Sequence, residues 1–231
     1  MPPNLRDSPK VRVAQYLNRP WKVELCEAPQ AAPVACCFGA GCVCMSAYQQ
    51  RQQILDVTGE PYVPCAGLFG CCGMCSDPMP RQLLCVEVAL CPQMAASANR
   101  FMMQTRFGLM NTECDDKLMA LTSCCYAIAN CMAACRGVID LARCLGADLP
   151  PECDRCADDM PVEEMRLAAD LVFLCVHGCM YAQQKIELDD MQDDYAGPPP
   201  AVMANLPPKM QVMMQQGRII RYASPRQQEM R

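Results

Sequence analysis

Histidine is all but missing from this chain: His177 stands alone among 231 residues. Most general acid–base and nucleophile-activating chemistry relies on that side chain. A single imidazole inside an apolar stretch therefore predicts a protein that is not an enzyme. Aromatic residues are scarce too, with one Trp, five Phe and seven Tyr. That removes the stacking platforms on which single-stranded nucleic acids are bound, so no nucleic-acid partner is expected. The chain contains no P-loop, no G-x-G-x-x-G following a strand and no G-x-S-x-G elbow. Residues Met1 to Lys10, which include Pro2, Pro3, Arg6 and Asp7, lack the apolar run of a secretory signal. The expected setting is intracellular, cytoplasmic or peripheral on a membrane, and not secreted.

Cysteine, methionine and proline are abundant instead, at 21, 19 and 20 residues, and apolar types make up 52% of the chain. That is ample material for a packed core. In a reducing compartment the thiols read as metal ligands or small buried hydrophobes rather than as a disulfide framework. Their odd number also prevents disulfides alone from pairing all of them. An oxidising mitochondrial route stays open. The net charge of −5 is unevenly spread, because residues 195–231 hold Lys209, Arg218, Arg221, Arg226 and Arg231 against Glu229 alone. A basic tail thus follows an acidic body.

Along the chain, residues 1–34 read as an extended arm: Pro2, Pro3, Pro9 and Pro20 interrupt any helix, and Val11, Val13 and Tyr16 supply only a weak alternation. A helix is predicted from Cys42 to Thr58, stopped by Gly59 and Pro61. A second runs from Pro80 to Phe107 with a kink at Pro92 and Gly108 closing it. A third begins at Asp115 and Asp116, where carboxylates suit the helix dipole, and reaches about Leu145. A fourth spans Val162 to Asp190. The stretches 61–80 and 146–161 read as Cys/Pro/Gly-rich loops. Residues 195–231 form a second arm, with Met210, Val212, Met213 and Met214 on a short amphipathic segment. The predicted fold is all-α, about four helices with extended N- and C-terminal arms around a body at 35–194.

Three uncharged runs raise the question of a membrane: 28–50, 61–76 and 118–135. The first two are broken by Pro and Gly. Only Leu118–Cys135 reads as one helical segment, with Ala127, Ala129, Ala133 and Ala134 suited to close packing. It is expected to be buried against protein rather than lipid.

The cysteines come in groups, and spacings such as Cys-x2-Cys or Cys-x-Cys let one turn supply two ligands to a tetrahedral ion. Cys72–Cys75 and Cys153–Cys156 have this form in predicted loops. With Cys36, Cys37, Cys42, Cys44, Cys65 and Cys71 they make the predicted ligand set for zinc. The helical pairs Cys131 and Cys135, and Cys175 and Cys179, share a face at i and i+4, where packing leads over chelation. His177 points away from the face that Cys175 and Cys179 share, and reads as a packed or hydrogen-bonded residue. Cys72-Gly-Met-Cys75 also leaves a thiol redox role open, without the βαβ context that would support it.

Cys36-Cys37-Phe-Gly-Ala-Gly-Cys42-Val-Cys44 resembles the CC-x4-C-x-C arrangement of the placenta-specific-gene-eight family, which includes cell-number regulators and plant cadmium-resistance proteins. Arg100, Thr105-Arg106-Phe107-Gly108-Leu109, Cys114-Asp115-Asp116 and Cys124-Cys125 are similar to that family's arginine-rich helix, Cys-Asp and double-Cys succession. Cys179, Gln183, Glu187 and Leu188 resemble its closing C-x3-Q-x3-E-L element, and the middle resembles an uncharacterised plant and algal cysteine-rich branch. The resemblance spans roughly residues 35–190. It implies a helical, cysteine-rich, non-enzymatic protein, commonly membrane-associated and linked to divalent-cation handling or growth control. The combined expectation is a zinc-binding structural or interaction protein, a small subunit gripping protein partners through its two arms. The alternative is a membrane-associated protein handling zinc or cadmium.

Overall fold

A computed structural model of the chain describes residues 9–68, 77–147, 150–191 and 195–223, with side chains omitted at 154 and 218–223. The all-α expectation holds, but the described residues form eleven α-helices rather than about four. In chain order they are α1 (Pro9–Ala14), α2 (Ala28–Ala31), α3 (Pro33–Gly41), α4 (Val43–Thr58), α5 (Leu84–Leu90), α6 (Pro92–Phe107), α7 (Glu113–Cys144), α8 (Pro151–Asp158), α9 (Val162–Met191), α10 (Pro200–Ala204) and α11 (Pro208–Ala223). Two residue-pairs, β1 (Arg19–Pro20) and β2 (Leu109–Met110), form a minimal parallel bridge.

Part of the higher count comes from breaks within runs that read as continuous. The kink expected at Pro92 is a full interruption: Cys91 sits at φ −137°, ψ 60°, outside the helical region that a residue before proline avoids. Helix ends, by contrast, fall where the glycines predicted them. Gly59 and Gly108 take left-handed φ of 69° and 70° and close α4 and α6 by donating to Leu55 and Gln104. The loop expected around Cys153 and Cys156 is instead the helix α8, with Pro151 preset for its first turn.

The extended arms are corrected as well. In the N-terminal segment Val13, Leu17, Trp21 and Leu25 are buried, and in the C-terminal segment Val202, Leu206, Met210, Met213 and Met214 are buried. The two segments meet each other: Val13, Leu17, Phe101, Val202, Leu206, Met210 and Met214 form one apolar cluster. Proline rightly signals interruption of a helix, but an interrupted chain still packs when its apolar residues find non-local partners.

The chain divides into two compact units, one made of the residues up to Cys114 with those from His177 onward, the other of Asp115–Val176. In the first unit α4, α5 and α6 bury Ile54, Leu55, Leu84, Val88, Met102 and Met103 together. Arg51, Arg100 and Arg106 are buried inside it. Arg106 meets Glu60 through three hydrogen-bonded contacts, Nε to Oε1 at 3.0 Å, Nε to Oε2 at 3.2 Å and Nη2 to Oε2 at 2.7 Å, with both side chains at 1% exposure or less. Arg51 donates to Asn99 at 2.5 Å and to Glu87 at 3.3 Å, and Glu87 also accepts from Tyr62 Oη at 2.7 Å. Buried charges persist only when paired this closely, because desolvation otherwise expels them. Helices α3 and α9 approach closely at Gly178, where an added Cβ would lie 2.5 Å from the Cys36 carbonyl oxygen.

The second unit contains a helical hairpin made from α7 and the first half of α9. Tyr126 Oη donates to Asp170 at 2.6 Å, Arg166 donates to Asn130 at 3.2 Å, and the Tyr126 and Phe173 rings meet edge to face. These pairs fix an antiparallel register. The burial expected for Leu118–Cys135 is not found within the chain: Ala129 is the one buried residue of the run, whereas Leu121 and Ile128 are about half exposed, at 50% and 45%.

Candidate metal centre

The segment between β1 and α2 is held by the second half of α9. Gln183 donates to the Val23 carbonyl at 2.9 Å, and Glu187 accepts from Arg19 at 2.5 Å and from the Lys22 backbone N–H at 3.1 Å. Gln183 in turn accepts from Arg100, whose guanidinium lies over the Trp21 ring. The closing element read from the sequence, Gln183 and Glu187, thus acts as a clamp on residues 19–23.

That clamp positions the next two side chains, Glu24 and Cys26, beside Cys114 at the start of α7. Their ligand atoms all lie within 4.8 Å of one another. Among the described residues this is the one group of three such side chains so arranged. The Cys26 thiol donates toward Glu24 Oε2 at 3.6 Å. Its pKa is pushed up to about 11, first by the hydrogen bond it shares with the Cys114 thiol and also by the Glu24 carboxylate. Two thiols and one carboxylate are donor types that zinc accepts, and three protein ligands leave a fourth position for water or another ligand.

Because a bound cation needs the thiolate, zinc must displace the Cys26 proton. Affinity is therefore expected to rise with pH between about 6 and 8, with proton release on zinc addition to metal-free protein. Replacing Cys26 and Cys114 together by serine should lower the zinc content of the full chain more than replacing Cys153 and Cys156. The opposite order by elemental analysis would remove the triad as a metal site.

Of the ten ligands predicted from the sequence, the seven within the described residues lie outside this triad. Cys36 and Cys37 are on α3, Cys42 joins α3 to α4, and Cys44 opens α4; all but half-buried Cys36 are exposed. Cys65 is buried in a turn where it and Ala66 take left-handed φ of 49° and 53°. Its backbone N–H donates to Glu87. Cys153 and Cys156 share a face of α8, and Cys71, Cys72 and Cys75 fall outside the described residues. Cys26 and Cys114 escaped the grouping by short spacing because they are distant in sequence. The available signal was the Glu24-x-Cys26 pair together with Cys114 next to two aspartates.

His177 is buried on α9, with Nε2 3.1 Å from Ser46 Oγ, and is not part of this triad. Cys175 is exposed on another face. Burial lowers the His177 pKa to about 4 from an ordinary value of 6.5. Between these two values the unfolded chain binds more protons than the folded one, so stability falls as pH drops from 6.5 toward 4. The contribution is on the order of 3 kcal/mol over the full window. Urea titrations at several pH values should show wild type losing more stability than H177Q across it, with equal slopes above pH 7. Compared with protein-family models, with curated proteins and with solved structures, the chain matches none.

Proposed function

We propose that the chain is a non-enzymatic, cysteine-rich, zinc-binding interaction protein, working as a small subunit of an assembly. The observation that carries this reading is the outward face of α7, which repeats an apolar residue every three or four positions and which no described residue of its own unit covers. Leu121, Ile128 and Val138 lie on it, and Leu145 follows just past its end, all at 45% exposure or more. Apolar strips of this length on a soluble chain mark docking surfaces. The docking element on this reading is the hairpin; in the terminal segments Val13, Leu17, Val202, Leu206, Met210 and Met214 are already engaged with one another.

The second reading, a membrane-associated protein handling zinc or cadmium, draws on length and composition: α7 and the stretch 151–191 that includes α9 are each long and apolar enough to cross a bilayer. The hairpin register weighs against a spanning pair. The uncharged run 118–135 is about 27 Å long at 1.5 Å per residue. Asp170 pairs with Tyr126 near the middle of that run, and Arg166 with Asn130 one turn further on. A bilayer laid across it would hold both charges near its centre, at about 2.5–3.5 kcal/mol each on insertion scales.

Carbonate washing of cell membranes combined with native size analysis of the soluble fraction tests the choice. Release by carbonate and migration well above the chain mass of 25.5 kDa are expected. Retention until detergent is added would transfer the case to the membrane reading.

A further inference from the structure

The outward strip of α7 is also a near-palindrome. Its positions, Leu121, Cys124, Ile128, Cys131, Cys135, Val138 and Ala142, with Leu145 just past the last residue of the helix, alternate steps of three and four, the spacing of a helix seam that packs knobs into holes. Folded back on itself about residue 133, the strip matches Leu121 with Leu145, Cys124 with Ala142, Ile128 with Val138 and Cys131 with Cys135. Large meets large and small meets small. A two-fold interface has this requirement: whatever residue i meets on the other copy, that residue meets i in return.

The flanks agree. Ala120, Ala127 and Ala134 run beside the strip and permit close approach, and no charged residue lies between Lys117 and Arg136. A parallel, in-register pair would set Lys117 on the seam against its own copy. The antiparallel pair centred on residue 133 moves Lys117 past the end of the facing helix, which closes at Cys144, and sets no ionised side chain of one helix against a like charge of the other.

We propose that α7 docks antiparallel on α7 of a second copy of this chain, and that the centre of this seam binds a soft divalent cation of the zinc class through Cys131 and Cys135 of both copies. Each helix supplies two sulfurs from one face, at i and i+4. Both cysteines are exposed in the single chain. Four thiolates form the closed, tetrahedral type of structural zinc site, and binding releases thiol protons without any change of oxidation state. The inference rests on the interaction reading above and specifies its partner.

Sedimentation velocity of the purified full-length chain, metal-free and with one equivalent of zinc per two chains, tests it. A species of twice the chain mass is expected, with the dimer tightened at least about tenfold by zinc. Ile128→Glu with Val138→Glu, both on the exposed face and so tolerable to the folded chain, should give monomer in either condition. Cys131→Ser with Cys135→Ser should keep a weak dimer that no longer responds to zinc.

A monomer with and without zinc overturns the proposal, as does a dimer that survives Ile128→Glu with Val138→Glu. A zinc response that survives loss of Cys131 and Cys135 overturns the metal assignment. Binding of the monomer to phosphatidylcholine vesicles through the same face overturns the second copy in favour of lipid. If the purified chain is monomeric while the native protein in cell extract migrates above 25.5 kDa, the second copy is wrong and the interaction reading survives. If both are monomeric, both fall.

Discussion

Replacing Arg106 by alanine is expected to cost about 3–5 kcal/mol of stability, because it strands the Glu60 carboxylate in the core with no countercharge. Both side chains are sealed: Arg106 at 0% and Glu60 at 1% exposure, joined by contacts of 2.7–3.2 Å. A typical domain has about 5–15 kcal/mol in total, so this one change removes a large share. The intact pair need not be strongly stabilising in itself. Desolvation of two ions offsets most of their attraction, and an apolar pair of similar volume often serves equally well. Arg106→Met combined with Glu60→Leu should accordingly recover most of the loss. Urea midpoints for the wild type, the single variant and the pair decide the point. A single-variant loss below about 1 kcal/mol would mean that water reaches the Glu60 carboxylate, and the sealed-pair account would be wrong.

The second large effect is expected from truncation after Gly197. Composition alone presents residues 198–231 as a detachable basic arm, whereas α10, α11 and the link between them carry Val202, Leu206, Met210, Met213 and Met214 into the core at 6% exposure or less. Deleting one such side chain to alanine costs about 2–5 kcal/mol when Leu or Met is involved. Losing five together exceeds the stability of an ordinary domain. The shortened chain should therefore lose its near-ultraviolet circular dichroism and expose Val13, Leu17 and Phe101, the residues that these helices cover. Gly217 points the same way: an added Cβ there would lie 2.8 Å from the Thr58 carbonyl oxygen, so α11 runs tightly against the end of α4. A truncated protein with an unchanged melting transition would return the segment to the status of an arm.

These two cases mark where the sequence was legible. Helix ends written in local chemistry, such as Gly59 and Gly108, were read within a residue or two, because a left-handed cap acts on its immediate neighbours, whereas Pro92 was read as a kink and is a full break. The terminal segments were misread because their prolines are local and their partners are not. Val13 needs Val202 and Met210, almost two hundred residues away, and no periodicity in a short segment announces that. Arg100 and Arg106 were noticed as part of an arginine-rich helix, but their burial depends on Glu60, Trp21 and Gln183, which lie in three other segments. The same limit hid the Glu24, Cys26 and Cys114 cluster, whose side chains come from distant segments that only the fold brings together. His177 was legible because its argument was geometric: two residues from each of two cysteines on a helix is the wrong face for sharing a ligand site.

The meeting of α1 with α10 and α11 also bears on how the chain is made. At synthesis rates of about 5–20 residues per second, roughly 10–40 s separate the appearance of Val13 from that of Met210. Over that interval α1, Leu17 and Phe101 have no apolar surface to close upon, and the core of the first unit waits for the last part of the chain. Contacts of such high sequence separation fold slowly and leave the nascent chain open to wrong associations. Ribosome-bound chains halted before Met210 should thus remain sensitive to protease and bind holding chaperones, and protection should arrive late and in one step rather than helix by helix.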